Sequence, residues 1–148
     1  MVIRDYLDYR ESEILGLYSA VGWTAYTRDP ESLREGFGRS LLTLAAYEGE
    51  ELLGLIRVVG DGRTVVLVQD LLVFPQYQRR GVGSALLREV LRRYQRVRQI
   101  ELVTDDSPQT LAFYKSLGFS PLSELGCVGF LRGGERSRPH LSHPGGRY

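Results

Sequence analysis

Three β-rich stretches follow one another in the middle of the chain, and short glycine-containing turns separate them. The stretches cover Leu41–Tyr47, Glu51–Val59 and Thr64–Phe74. Glu48-Gly49-Glu50 joins the first two, and Gly60-Asp61-Gly62 joins the last two. Turns this short connect neighbouring antiparallel strands, because a parallel connection needs a crossover of a dozen or more residues. The sequence therefore predicts a three-stranded antiparallel meander.

Helix and strand patterns alternate on both sides of this meander. Before it, we predict a short strand over Met1–Arg4, a helix over Ser12–Val21 with Ser12 as N-cap, a loop over Gly22–Tyr26, and a helix over Asp29–Ser40. After it, one apolar stripe predicts an amphipathic helix: Leu86, Leu87, Val90, Leu91 and Tyr94. The last predicted elements are a strand over Gln99–Thr104, a helix over Ser107–Leu117 with Ser107 as N-cap, and one or two closing strands within Leu122–Leu131.

Rare residues exclude several kinds of chemistry. The single cysteine, Cys127, cannot form an internal disulfide, which favours a reducing compartment and a cytoplasmic location. We expect it to be a small buried residue. Both histidines, His140 and His143, lie in a basic Gly/Pro-rich tail, residues 132–148, which we predict to be disordered. A catalytic histidine within residues 1–131 is therefore excluded, and no cysteine/histidine cluster suggests a metal.

Charge and hydropathy exclude two further classes of partner. Residues 1–131 carry 15 basic and 17 acidic side chains, so this single predicted domain lacks the basic footprint of a nucleic-acid-binding protein. No apolar stretch approaches the roughly 20 residues that a membrane span requires. We expect neither a nucleic-acid partner nor a membrane.

A glycine-containing loop after the third β-rich stretch suggests a phosphate-binding site. It reads Gln78-Arg79-Arg80-Gly81-Val82-Gly83-Ser84 and leads directly into the amphipathic helix. Backbone N–H groups at a helix N-terminus lack partners and carry positive potential, and glycine lets an anion approach them closely. The alternative is an ordinary helix-capping loop with solvated arginines.

Two motifs together resemble the GCN5-related N-acetyltransferase (GNAT) family. Gln78, Gly81 and Gly83 match its Q/R-x-x-G-x-G/A signature, and residues 110–119 (TLAFYKSLGF) are similar to its A-x-x-F-Y-x-x-x-G-F helix. The resemblance covers residues 2–131. It implies an α/β (α+β) fold in which about four helices flank a mixed, mostly antiparallel sheet of six or seven strands. Strands 4 and 5 of that sheet splay apart.

The resemblance also implies an acetyl-CoA site without a metal. The residues it places against acetyl-CoA are Leu71, Leu72 and Val73 along the pantetheine arm, Gln78, Arg79, Arg80, Gly81, Val82, Gly83 and Ser84 at the pyrophosphate, and Pro108, Thr110 and Phe113 on the far side of the arm. The backbone N–H of Val73 is the candidate to polarise the thioester carbonyl.

Tyr114 and Asp70 are the candidate catalytic residues. The family often has a tyrosine at the position of Tyr114, where a phenol can protonate the departing thiolate; the alternative is a packing aromatic. Asp70 is the candidate to deprotonate the amine or to hold it as a cation, and the alternative is a structural carboxylate. Strand alternation places Asp70 with Val66, Val68 and Leu72, unless a β-bulge, usual in this family, shifts the count.

Trp23 and Tyr26 are the candidate acceptor-binding residues, since aromatic faces hold apolar or cationic amines; alternatively they pack between helices and sheet. The predicted function is transfer of acetyl from acetyl-CoA to a primary amine of a small molecule, by direct attack in a ternary complex. The alternatives are a protein or peptide acceptor, or a non-catalytic acyl-CoA-binding module. A homodimer is also expected, because members of the family are commonly dimers.

Overall fold

The predicted meander forms the middle of a five-stranded sheet in the computed structural model, which describes residues 1–133. The strands are β1 (Val2–Asp5), β2 (Leu42–Glu48), β3 (Glu51–Gly60), β4 (Val65–Val73) and β5 (Gln99–Leu102). Their order in the sheet is β1-β2-β3-β4-β5. The first four are antiparallel to their neighbours, and β5 is parallel to β4.

Hydrogen bonds to one carboxylate fix the turn between β3 and β4. Asp61 accepts the backbone N–H groups of Arg63 at 2.8 Å, Thr64 at 2.8 Å and Val65 at 3.1 Å. Together with the Thr64 hydroxyl, whose bond is the largest contribution, these donors hold the pKa of Asp61 well below its usual range. An aspartate in a glycine turn therefore sets where β4 begins.

Helices cover both faces of the sheet. The five α-helices of the described residues are α1 (Glu11–Ala20), α2 (Thr24–Thr27), α3 (Pro30–Gly38), α4 (Val82–Arg93) and α5 (Pro108–Ser116). The core residues of α4 and α5 pack together with one face of the sheet, and those of α1 and α3 pack with the other. The chain thus has two cores that share one sheet.

The apolar stripe predicted for α4 is confirmed. Leu86, Leu87 and Val90 have no solvent exposure, while Leu91 and Tyr94 pack at the edge of the same core. On the opposite face of the sheet, Ile14, Leu17 and Tyr18 of α1 are fully buried. Burial of each large apolar side chain stabilises the fold by about 1.5–3 kcal/mol, so these two stripes fix the helices on the sheet.

Three predictions for the first helices are corrected or confirmed by the structure. Helix α1 begins at Glu11 after Arg10, rather than being capped by Ser12, and no side chain caps it. Residues 24–27 form the short helix α2 where a loop was predicted. Asp29 caps α3 as predicted by accepting the backbone N–H of Ser32 at 3.2 Å, with Pro30 as the first helical residue.

The predicted closing strands and the buried cysteine are both wrong. Within the described residues the sheet has five strands, not six or seven, and Leu122–Leu125 is a short 3-10 helix. Gly126, with φ 73°, ends this helix, and the N–H of Cys127 closes the turn on the Leu122 carbonyl at 2.9 Å. Because the following segment does not pair with β5, Cys127 is exposed.

Two further predictions concern the chain outside this sheet. Most of the tail predicted to be disordered, from residue 134 onward, lies outside the described residues, as do both histidines. The longest helix within residues 1–133 has 12 residues, and none of them has the length and apolar character needed to cross a membrane.

We predict that Gly54→Ala destabilises the protein, because a Cβ there would lie 2.5 Å from the Leu72 carbonyl oxygen of β4. Relief of this clash requires β3 and β4 to move apart, at a cost of about 1–3 kcal/mol in the free energy of unfolding. Gly16→Ala in α1 is the matched control, because a Cβ there meets no atom within 4 Å and alanine favours helix by about 0.5–1 kcal/mol. Urea unfolding measures both, and equal stability of the two variants would contradict the prediction.

Candidate active site

Strand β5 pairs with only the first half of β4, in agreement with the predicted lack of pairing between these strands further along. Their parallel pairing runs from Val65 opposite Gln99 to Val68 opposite Leu102 and ends there. Strand β4 continues to Val73, and beyond Val68 it pairs only with β3 among the described strands. The second half of β4 therefore borders a gap on its β5 side.

Two residues of β4 point their backbone groups into this gap. The N–H of Phe74 donates to the Leu53 carbonyl of β3 at 2.9 Å. Because N–H and C=O groups alternate sides along an antiparallel strand, those of Leu72 also face β3, while those of Leu71 and Val73 face the gap. Of the three residues expected along the pantetheine arm, two thus offer backbone groups to a ligand.

Gln78 contacts the end of β4 directly. Its side-chain amide donates to the Val73 carbonyl at 3.1 Å. This bond satisfies the carbonyl that faces the gap, and it leaves the Val73 N–H directed there. In this structure Gln78 therefore holds the loop against the strand.

The loop before α4 forms a concave row of backbone N–H groups. Gly81 is the N-cap of α4 with φ 82° and ψ 9°, and Arg79 has φ 65°. Alternation of left-handed and right-handed residues curls a backbone into such an anion-binding nest. The first N–H of the helix to find an acceptor is that of Ala85, at 3.0 Å from the Gly81 carbonyl. In this loop and the first turn of α4, six successive N–H groups have no acceptor among the described residues: those of Arg79, Arg80, Gly81, Val82, Gly83 and Ser84.

Side chains anchor this loop on both sides. Val82 is 2% exposed and packs into the core beneath α4. Arg80 lies over the ring of Tyr77, with its guanidinium carbon 5.5 Å from the ring centroid, and the Tyr77 hydroxyl donates to Glu51. Arg79 and Arg80 are both exposed, so they add positive charge at the rim of the nest.

Of the three α5 residues predicted on the far side of the pantetheine arm, the structure leaves only two with surface for a ligand. Ser107 caps the helix by accepting the Thr110 N–H at 3.3 Å. The Thr110 side chain is 1% exposed and bonds Ser107 and Asp105, which places it inside the helix cap. Pro108 is exposed and Phe113 is half-buried, so these two residues have surface available to a ligand.

Tyr114 lies in the core on the α4 side of the sheet. Its side chain is 7% exposed, and its ring packs edge-on against Phe113 at 4.9 Å and Phe119 at 5.8 Å between centroids. It belongs to the same buried cluster as Leu71 and Val73, the residues that border the gap. The structure thus brings Tyr114 to the side of the sheet on which the nest lies.

A β-bulge at Gln69 places Asp70 on the opposite side of β4. Asp70 pairs with Arg57 and Val68 with Val58, so one residue of β4 is extra. The alternation that grouped Asp70 with Val66 and Val68 is therefore wrong, as the bulge allowed. Val66 and Val68 face the α4 core, whereas Asp70 and Leu72 face α1 and α3.

Asp70 is fully buried in a hydrogen-bond network. Its side chain has no solvent exposure, and its Oδ2 accepts the Tyr18 hydroxyl at 2.6 Å and the Arg57 Nε at 2.7 Å. Burial and the negative charge of Asp70 raise the pKa of Tyr18 well above its usual value. Burial is the largest single influence on the pKa of Arg57 and lowers it, but the combined charge and hydrogen-bond effects of Asp70 and Tyr18 raise that pKa above its usual value.

Trp23 and Tyr26 lie beside this network. Trp23 is 6% exposed and stacks on Tyr26, with 5.9 Å between centroids, and Tyr26 also contacts the ring of Tyr18 at 5.4 Å. The Tyr26 hydroxyl accepts the side-chain amide of Gln69 at 3.2 Å. Burial and the nearby Asp70 raise the pKa of Tyr26. Trp23 is therefore a core residue, whereas Tyr26 is only partly buried and keeps some solvent-exposed surface.

The sequence reasoning missed three members of this site: Tyr18, Arg57 and Gln69. Arg57 gives a signal in the sequence, because it is the one charged side chain in the apolar stretch Leu52–Val59. A charge inside a strand that is buried on both faces requires a partner. Asp70 lies in the neighbouring β-rich stretch and carries the opposite charge. The sequence could therefore have predicted Arg57 and Asp70 as a buried pair of opposite charges.

Comparison with known proteins gives consistent relatives. The sequence model of the acetyltransferase (GNAT) domain matches residues 8–132. The chain is 28% identical over 109 residues to the Uncharacterized N-acetyltransferase ycf52 of Gracilaria tenuistipitata var. liui, an alignment that covers 70% of this chain and 58% of that relative. The chain thus spans about three fifths of the length of the first curated relatives it matches.

Two solved structures share this architecture. The GNAT family protein SP0256 from Streptococcus pneumoniae TIGR4 is 38% identical, with a TM-score of 0.82 over 91% of this chain and 98% of that one. The PaiA N-acetyltransferase from Thermoplasma acidophilum, solved in complex with coenzyme A, shares the fold at 17% identity, with a TM-score of 0.65 over 81% of this chain and 91% of that one. The unpaired second half of β4, the nest before α4 and these matches agree, and the chain belongs to the GNAT acetyltransferase family.

Proposed function

We propose that this protein transfers an acetyl group from acetyl-CoA to the primary amine of a small molecule, by direct attack while both substrates are bound. The observation that carries the proposal is that two groups of backbone N–H available to a ligand lie near one end of β4. Leu71 and Val73 offer theirs in the gap, and residues 79–84 offer theirs in the nest. A long ligand with amide groups along one arm and a pyrophosphate at the other end fits both.

Acetyl-CoA is the proposed cosubstrate, and it supplies the acetyl group already activated as a thioester. The nest would hold its pyrophosphate through backbone N–H groups and the two exposed arginines. Leu71 and Val73 would pair with the pantetheine arm, and the exposed Pro108 and the half-buried Phe113 would flank it. The coenzyme A in the PaiA structure supports the same cosubstrate here.

Val73 and Tyr114 are the proposed groups at the acetyl carbonyl and at the sulfur. The Val73 N–H faces the gap and would stabilise the negative charge that develops on the carbonyl oxygen. The Tyr114 phenol, in the cluster that lines this side of β4, would donate its proton to the departing thiolate. Neither role requires a histidine.

Asp70, Trp23 and Tyr26 form the proposed acceptor side. The Asp70 carboxylate would hold the incoming amine as a cation and take its proton before attack, and its burial strengthens any interaction with a charged partner. Tyr26 and Trp23 stack beside it and would present aromatic surface to the acceptor.

A cytoplasmic location is part of the proposal. Cys127 is free and exposed, and an exposed thiol persists in reduced form in a reducing compartment.

The decisive experiment measures thiol release from acetyl-CoA with a panel of small primary amines, alongside lysine-containing peptides. We expect turnover with at least one small amine, in a sequential rather than ping-pong pattern, because a ternary complex has no acetyl-enzyme. Turnover with peptides alone would contradict a small-molecule acceptor and indicate a protein or peptide acceptor. Thermal stabilisation by coenzyme A without turnover would instead indicate a binding module.

Tyr114→Phe is predicted to lower turnover by about tenfold to a few thousandfold while leaving the affinity for coenzyme A similar. Phenylalanine preserves the edge-on packing against Phe113 and Phe119, so the fold is retained. Tyr94→Phe, at the C-cap of α4 and the edge of the same core, is the matched control and should turn over normally. Equal turnover by both variants would remove Tyr114 from the mechanism.

Gly81→Glu is predicted to abolish coenzyme A binding, because it brings a negative charge into the nest and strains the left-handed cap at φ 82°. Gly126→Glu is the matched control, since Gly126 has φ 73° and ψ 19° and, like Gly81, has no atom within 4 Å of an added Cβ. Calorimetric titration with coenzyme A measures both variants. Wild-type affinity in Gly81→Glu would contradict the nest as the pyrophosphate site.

A homodimer is also proposed, through the segment that follows Gly126. Phe130 and Val128 are 93% and 70% exposed there, and β5 is an edge strand of the described sheet. We predict that Phe130→Glu converts a dimer to a monomer in light scattering, because it places a charge in the apolar contact. Leu7→Glu is the control, at a residue 89% exposed near β1. A monomeric wild type would contradict the proposal.

A further inference from the structure

The buried carboxylate of Asp70 uses its two oxygens unequally. Oδ2 accepts the Tyr18 hydroxyl and the Arg57 Nε. Oδ1 is also buried, and among the described residues no hydrogen-bond donor reaches it. A buried acceptor without a partner is costly, so one that lies beside the proposed acceptor residues points to a ligand that supplies the donor.

Arg57 determines which oxygen remains available. Its guanidinium is held by three contacts: Nε to Asp70, Nη1 to the Ser40 hydroxyl at 3.2 Å, and its central carbon 5.2 Å from the ring centroid of Phe37. Ser40 in turn donates to the Gly36 carbonyl at 2.7 Å. The C-terminal part of α3 thus fixes the arginine, and the arginine fixes Oδ2.

The free oxygen lies away from Arg57. Arg57 stands opposite Asp70 on β3, so Oδ2 is on the β3 side of the carboxylate. Away from β3, the bulge residue Gln69 bonds Tyr26, whose pKa the charge of Asp70 raises in addition to burial. Trp23 stacks on Tyr26 at this point. Oδ1 therefore belongs to the side on which the acceptor residues lie.

We propose that Arg57 is a positioning residue that binds Oδ2 of Asp70 and so presents Oδ1 to the protonated primary amine of the acceptor. This inference rests on the proposed function for the identity of the acceptor. The ammonium group supplies the donor that Oδ1 lacks, and it adds the opposite charge. Arg57 itself contacts neither substrate.

The first test is amine binding without turnover. Butylamine is titrated into the wild-type protein while NMR follows the Arg57 Nε–H and the Trp23 indole N–H, with butanol as the neutral probe of equal shape. We expect saturable shifts with butylamine, none with butanol, and loss of the butylamine shifts in Asp70→Asn. Identical shifts with both probes, or no shift with butylamine, would overturn the inference.

The second test separates positioning from folding. Arg57→Lys keeps a positive charge but loses the Nε geometry, so we expect the KM for the amine to rise about 10- to 100-fold while the KM for acetyl-CoA and kcat stay within about threefold. Arg34→Met is the control for loss of an arginine that packs on an aromatic ring, 5.0 Å from the Tyr9 centroid. An unchanged amine KM in Arg57→Lys would overturn the inference.

A double variant covers the case in which single variants lose stability. Arg57→Met together with Asp70→Leu replaces the buried pair by apolar side chains, which is often neutral for stability. We expect a melting temperature near that of the wild type, no butylamine shifts and unchanged coenzyme A affinity. Butylamine binding equal to that of the wild type would overturn the inference. Failure of acetyl transfer with butylamine binding intact would instead contradict the proposed function.

Discussion

Strand β4 has a neighbour on both sides in its first half and on one side only in its second half. Beyond Val68 the hydrogen-bonding groups on its β5 side have no partner strand within residues 1–133. An unpaired strand edge ordinarily attracts another chain, but here the unpaired edge continues a segment of β4 that β5 does cover. The same unsatisfied groups are thus available to a ligand that is itself extended and rich in amides.

The bulge at Gln69 changes which side of the sheet the following side chains of β4 face. Without the extra residue, Asp70 would point with Val66 and Val68 into the largely apolar α4 core. With the extra residue, Asp70 meets Arg57 and Tyr18, while Leu71 and Val73 keep their side chains in the α4 core and their N–H groups in the gap. One inserted residue therefore determines that the carboxylate faces α1 and α3 while the side chains of Leu71 and Val73 face the α4 core.

Sequence reasoning succeeded where the signal was local. The meander, the stripe of α4, the caps at Asp29 and Ser107, and the loop at Gly81 each follow from a few neighbouring residues, and the structure has them all. The lack of pairing between the second half of β4 and β5 could be predicted only from the family resemblance. The face of Asp70 depended on a register shift against β3, which no local pattern specifies. The closing strands failed because Leu122–Leu131 is rich in apolar residues, yet Pro121 and Gly126 bend it into a 3-10 turn.

The buried pair of Arg57 and Asp70 is difficult to explain by stability alone. Transfer of two charges from water into a protein interior costs several kcal/mol each, and apolar side chains of similar volume are often as stable or more so. The arrangement also leaves Oδ1 without a donor among the described residues, an expense of about 1–3 kcal/mol that a purely structural pair would avoid by bidentate contact. A pair that binds one carboxylate oxygen and leaves the other is therefore better explained by a cationic ligand than by the fold. In a domain whose described residues contain no histidine, such a carboxylate is the side chain best suited to meet an amine.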